Sequence, residues 1–170
     1  MRASILLFLL LAAPCAIRAQ QADSSKTQHI TATAIRDSLA GAGATAGGMA
    51  AKPLGHRGSY SYLAIRRDQT GEVEVHAAWD DVIVVQEGVG TLISGGRVAG
   101  DRETGPGERR GGQVTGGTAR TLSAGDFVIV PAGVPHQVRV QPGGSITYLV
   151  VKISRPAVPT APAAPKRPGE

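Results

Sequence analysis

Between residues 59 and 154 the apolar positions come in short runs rich in Val, Ile and Tyr, separated by Gly, Asp and Pro. The runs are Tyr60–Arg67, Glu72–Ala78, Asp81–Gln86, Gly90–Ser94, Phe127–Val130, Gln137–Val140 and Ile146–Ile153. Many short strands punctuated by turn residues predict an all-β sandwich or barrel rather than a helical or α/β domain. Between Gly95 and Ser123 the chain turns Gly-rich and charged. It is too polar to bury and too Gly-rich to hold a helix, and it reads as a long insertion in a hairpin.

The flanks follow a different pattern. Residues 20–58 form a polar N-terminal segment, with Gln20 to Thr31 expected to be disordered. Thr33 to Leu39 forms a short helix, and a Gly/Ala-rich linker runs on to Pro53. From Arg155 to Glu170 the sequence is dominated by Pro and Ala and predicts an extended, solvated tail. A single domain over residues 59–154 is the expectation.

The first 19 residues read as a secretory signal peptide: Arg2, the apolar run Ile5 to Ala13, and a cleavage site after Ala19. The apolar run is too short for the ~20 residues of a spanning helix, so the mature chain is expected in the periplasm or outside the cell, off the membrane. Cys15 follows Pro14, which does not suit lipid attachment. Cys15 is the chain's only cysteine, so leader removal leaves no disulfide, thiolate ligand or thiol nucleophile. Loss of Arg2 and Arg18 leaves 16 basic against 13 acidic residues. The basic pairs Arg66-Arg67 and Arg109-Arg110 read as solvated surface, and so modest an excess with few aromatics argues against nucleic-acid binding.

The strongest local signal is Gly125-Asp126-Phe127-Val128-Ile129-Val130-Pro131-Ala132-Gly133-Val134-Pro135-His136, a strand, a tight turn and a returning strand opened by His136. Pro131 ends the first strand, and Gly133 permits the positive φ that the turn needs. This stretch resembles the second motif of the cupin superfamily, G-x5-P-x-G-x2-H, at every fixed position through the histidine. The family's closing Asn falls at Val140, a departure. An altered first motif precedes it as Glu74-x-His76-x4-Asp81-x6-Gly88, with Glu74 where the family has its first histidine. A rival register takes His76 as the first histidine and puts Ala78 at the second, leaving too few residues before Asp81.

The resemblance covers roughly Ser59 to Ile153. It implies a double-stranded β-helix, the jelly-roll cupin barrel, with Glu74, His76, Asp81 and His136 converging on a divalent metal ion: iron, manganese, zinc or nickel. Strand geometry supports part of this on its own, because Glu74 and His76, two apart, share a face. Two imidazoles with carboxylates make a mixed N/O donor set suited to a first-row metal. The resemblance also implies a homodimer and a small-molecule ligand or substrate. Two functions stay open: a metal-dependent enzyme (an oxygenase, isomerase or lyase), or a binding module without turnover.

Overall fold

The computed structural model describes residues 26–40, 45 and 47–155; the expected leader and the tail beyond Arg155 lie outside this range. One helix and twelve strands are present among the described residues: α1 (Ala32–Ala40), β1 (Met49–Arg57), β2 (Tyr60–Arg67), β3 (Glu74–His76), β4 (Trp79–Ser94), β5 (Arg97–Ala99), β6 (Arg102–Gly105), β7 (Glu108–Arg110), β8 (Gln113–Thr115), β9 (Thr118–Ser123), β10 (Phe127–Val130), β11 (His136–Arg139) and β12 (Ile146–Ser154). No helix among them is long and apolar enough to cross a membrane.

The fold turns on β4. Two runs that the sequence separates, Asp81–Gln86 and Gly90–Ser94, are one 16-residue strand that belongs to both sheets. Its first half pairs with β10 and β12, and its second half with β9 and β11. The bend between the halves falls at Gly88, whose φ is +77° and where an added Cβ would lie 2.0 Å from the Ser145 carbonyl oxygen. Only glycine fits there. Next to it the ladder with β12 shifts register: Thr147 faces Glu87 and Tyr148 faces Val85, which leaves Gln86 of β4 as the bulged residue. All strand pairs are antiparallel and the sheet curls in the order β1-β2-β12-β4-β11-β3-β7-β6, giving the expected jelly-roll barrel. Inside it Ile83, Val85, Leu92, Leu122, Ile146 and Val150 are buried, and Val140, at the position where the motif departs from the family, belongs to this apolar core.

Two expectations need correction, and the expected insertion carries strands of its own. The linker to Pro53 contains β1, which pairs along its length with β2 and brings the sheet's start to Met49. Pro53 is tolerated because β1 is an edge strand and its register shifts between Pro53 and Gly55. Residues 26–31 lie against the barrel, with the Gln28 carboxamide donating to the Leu54 carbonyl at 3.4 Å and Tyr62 Oη donating to Gln28 Oε1. The insertion after Gly95 is ordered: β5 pairs with β8, β6 pairs with β7, and β9 closes the hairpin against β4.

The helix extends one residue beyond its expected ends on each side. Thr31 caps it, its hydroxyl accepting from the Ala34 N–H at 3.1 Å. Ile35 and Leu39, one turn apart on one face, are buried against Ala50 and Ala64 on the outside of the barrel.

Candidate metal centre

Register places the candidate residues opposite one another. His136 opens β11 directly across from Glu74 on β3, and Asp81 on β4 lies across from Val130 and Lys152. Gly133, at φ +79°, makes the turn before His136, and its N–H donates to the His76 carbonyl at 2.8 Å, tying that turn to β3. Strand alternation sends Asp81 into the barrel and Asp80 the other way. There Asp80 accepts from the Ala132 N–H at 2.8 Å and from Arg155 Nε at 2.6 Å and braces the same turn.

Glu74, His76 and His136 each offer a donor atom, and these atoms lie within 4.8 Å of one another. The imidazole centroids are 5.3 Å apart. Asp81 reaches the same point, its Oδ2 lying 3.4 Å from His76 Nε2 and 3.6 Å from His136 Nε2. Lys152 Nζ already holds that carboxylate, at 2.7 Å from Oδ1 and 3.0 Å from Oδ2. Asp81 therefore stands beside the three-residue group with its charge matched from behind. Ala78 of the rival register sits exposed in the turn after β3.

Each histidine has its outer nitrogen fixed. His76 Nδ1 donates to Glu108 Oε2 at 2.5 Å, and His136 Nδ1 donates to the Val134 carbonyl at 3.1 Å. Both rings thus turn Nε2 inward, the arrangement in which an outer partner sets the tautomer of a ligating imidazole. His76 is 2% exposed, and its Nε2 is the one buried side-chain polar atom among the described residues without a hydrogen-bond partner. Such an orphan is rare in a folded protein. It faces Glu74 Oε2 at 3.4 Å and Asp81 Oδ2 at the same distance.

The electrostatics favour a cation between these groups. Burial disfavours ionised Glu74, but the facing His76 and the charges of Arg110, His136 and Arg67 outweigh it and hold the carboxyl down at about 2. Burial likewise raises Asp81, and His136, His76 and Lys152 reverse the shift, leaving it far below the usual carboxylate range. For His76, burial opposes the charged form, while Asp81 and Glu74 overrule it and push the imidazole up to about 9. Two ionised carboxylates around an unpartnered ring nitrogen fit a bound metal ion.

Sequence reasoning missed four charged residues here. Arg67 Nη2 and Arg110 Nη1 lie 3.1 and 2.7 Å from Glu74 Oε1, Glu108 backs His76, and Lys152 backs Asp81. Arg67, expected as solvated surface, is 6% exposed and donates through Nε to Tyr148 Oη at 2.9 Å. Gly71 makes room for it, since a Cβ there would lie 2.5 Å from Arg67 Nη1. A cavity of about 100 Å³ adjoins the cluster, with Leu63, Ile65, Val138 and Val150 among its apolar walls.

Both histidine motifs, read as separate stretches of sequence, thus meet at one point inside a closed antiparallel barrel. The fold is an antiparallel jelly-roll barrel, the one that the resemblance of the motifs to cupins implies. No family model and no curated protein matches the chain. Among solved structures the barrel is similar to KdgF from Halomonas sp. (18% identity, 61% of this chain and 80% of that one, TM-score 0.43). It is similar to TT1209 from Thermus thermophilus (25% identity, 68% and 91%, TM-score 0.47). A third is the DMSP lyase DddQ from Ruegeria pomeroyi (20% identity, 78% and 60%, TM-score 0.45). In this barrel the remaining histidines take no part: His29 is exposed and His56 half-buried on β1.

Proposed function

We propose that this cupin is an exported protein that holds one divalent metal ion through Glu74, His76 and His136, with Asp81 beside them, and acts as a metal-dependent enzyme on a small molecule in the barrel cavity. The observation that carries the reading is the orphaned Nε2 of His76, aimed at two ionised carboxylates while Glu108 holds the ring from behind. When bound, such an ion supplies Lewis-acid polarisation of a ligand oxygen. The chain's own groups do the rest. Arg67 and Arg110 fix Glu74, Lys152 keeps Asp81 ionised, and the apolar walls exclude water.

One observation favours the second reading, a binding module without turnover. Tyr148, the phenol lining the cavity, is pushed up to about 12 by burial and accepts from Arg67, so it offers no ready base. Metal content tests the site that both readings share. Purified protein should carry one equivalent by elemental analysis, and His76→Ala and His136→Ala should each lose nearly all of it. Full occupancy in the double variant, with the barrel intact by circular dichroism, would overturn the site. Export and the homodimer belong to the same proposal and are checked by a mature chain beginning near Gln20 and by the mass in solution.

A further inference from the structure

At the mouth of the cavity two guanidinium groups converge on one carboxylate oxygen, Glu74 Oε1. Arg67 is buried, and it also meets the neutral hydroxyl of Tyr148. The neighbouring pairs are matched one to one: Lys152 with Asp81, and Glu72 with Arg102, which approaches from outside at 2.9 Å. Glu108 lies behind His76, on the far side of the ring from the cavity. The end of the cavity next to Glu74 therefore has two cations for one carboxylate, and a divalent ion at the centre would enlarge that excess. Arg67 is buried while the side chain of Arg110 is 32% exposed, so the excess sits at the opening, where an entering anion would match it.

The space is built for one. The cavity of about 100 Å³ meets an outer groove of about 380 Å³, and the two share Met49, Arg67, Glu72, Glu74 and Arg110. Anything entering from the groove passes the two arginines before it reaches the histidines. Behind the charged mouth the walls are apolar, with Leu63, Val138 and Val150. A neutral polyol would leave the guanidinium excess unmatched and set hydroxyls against aliphatic walls. Guanidinium groups instead match a carboxylate in shape and charge.

We propose that the cavity takes a small organic anion, a carboxylate with a short apolar body, whose charged group is held at the mouth by Arg110 and Arg67. The proposal rests on the metal reading only for the size of the charge excess, since the two arginines on Glu74 are present without a metal. The test uses butanoate and its neutral isostere butanamide, titrated calorimetrically into the purified protein, with metal content measured on the same sample. Butanoate should bind at least tenfold more tightly than butanamide. Arg110→Gln should erase that preference and Arg110→Lys should retain most of it, each confirmed as folded by circular dichroism. If the protein holds no metal, the metal reading fails, while the preference for butanoate should persist at reduced size. Equal binding of the two probes, or binding of neither, overturns the anion proposal whatever the metal content.

Discussion

Arg66 and Arg67 show what residue-level reading loses. A pair of basic residues looks like solvated surface, yet on a strand one member must face each side, and Arg67 lies at the metal centre. The same holds for Arg109 and Arg110: Arg109 pairs with Asp101 at 2.8 Å while Arg110 reaches Glu74. His136 was legible because its motif fixes a turn, and a turn has local requirements. The inward arginines were not, because their partners lie on other strands. Tyr148 gives this scale its test. The buried phenol holds its proton up to about 12, against about 10 in an unfolded chain, so the folded state binds that proton more tightly. Its contribution is intact below pH 10 and is lost as pH rises towards 12, by about 3 kcal/mol at most, from two units at 1.36 kcal/mol each. Stability from urea unfolding between pH 10 and 12 should fall less steeply in Tyr148→Phe than in the parent, by up to about one proton's worth of slope. Parallel curves would show that the phenol is not buried in the folded protein.

The strands that sequence reading missed are β1, taken for linker, and the short ones of the insertion. β6 and β7 have four and three residues, too few for alternation to show, and their identity as strands comes from pairing across the barrel. That pairing matters because β7 lies beside β3 with Glu74 opposite Arg110 and His76 opposite Glu108, the cross-strand contacts that hold both side chains. The Gly-rich insertion, expected as a long polar excursion, is in this respect part of the site. Its glycines make turns that let three-residue strands fold back on one another, while its charges, which argued for solvent, supply Glu108 and Arg110. Longer elements such as β2 and β12 were readable because Val, Ile, Leu and Tyr recur along them. Outer carboxylate partners of ligating histidines are worth about 10–100-fold in metal affinity. Glu108→Ala should therefore weaken metal binding by about that factor, and Glu108→Gln, which keeps an acceptor at the position, should weaken it less. Affinity measured by competition with a chelator decides; parent-like binding by Glu108→Ala would mean that the hairpin merely leans on His76.

At the scale of the whole molecule, the barrel brings together residues from β2, β3, β4, β7, β11 and β12 that are up to 85 positions apart, Arg67 and Lys152 being the extremes. A site assembled from so many strands exists only in the folded chain, because an unfolded chain cannot hold Glu74, His76 and His136 within 4.8 Å of one another. A metal ion bound there acts on the native state alone, and its binding free energy adds to folding stability. Free metal at 100 times its dissociation constant stabilises by about 2.7 kcal/mol. A barrel of about 100 residues gains about 4–8 °C in Tm for each kcal/mol. Thermal unfolding followed by circular dichroism should therefore show the metal-loaded protein melting about 10–20 °C above the same protein stripped with a chelator. The double variant His76→Ala and His136→Ala should melt at one temperature with and without metal. It keeps the barrel while lacking both imidazole donors, so a shift of parental size in the variant would mean that the ion binds elsewhere on the native surface, and no shift in either protein would mean that the donors do not hold an ion at all.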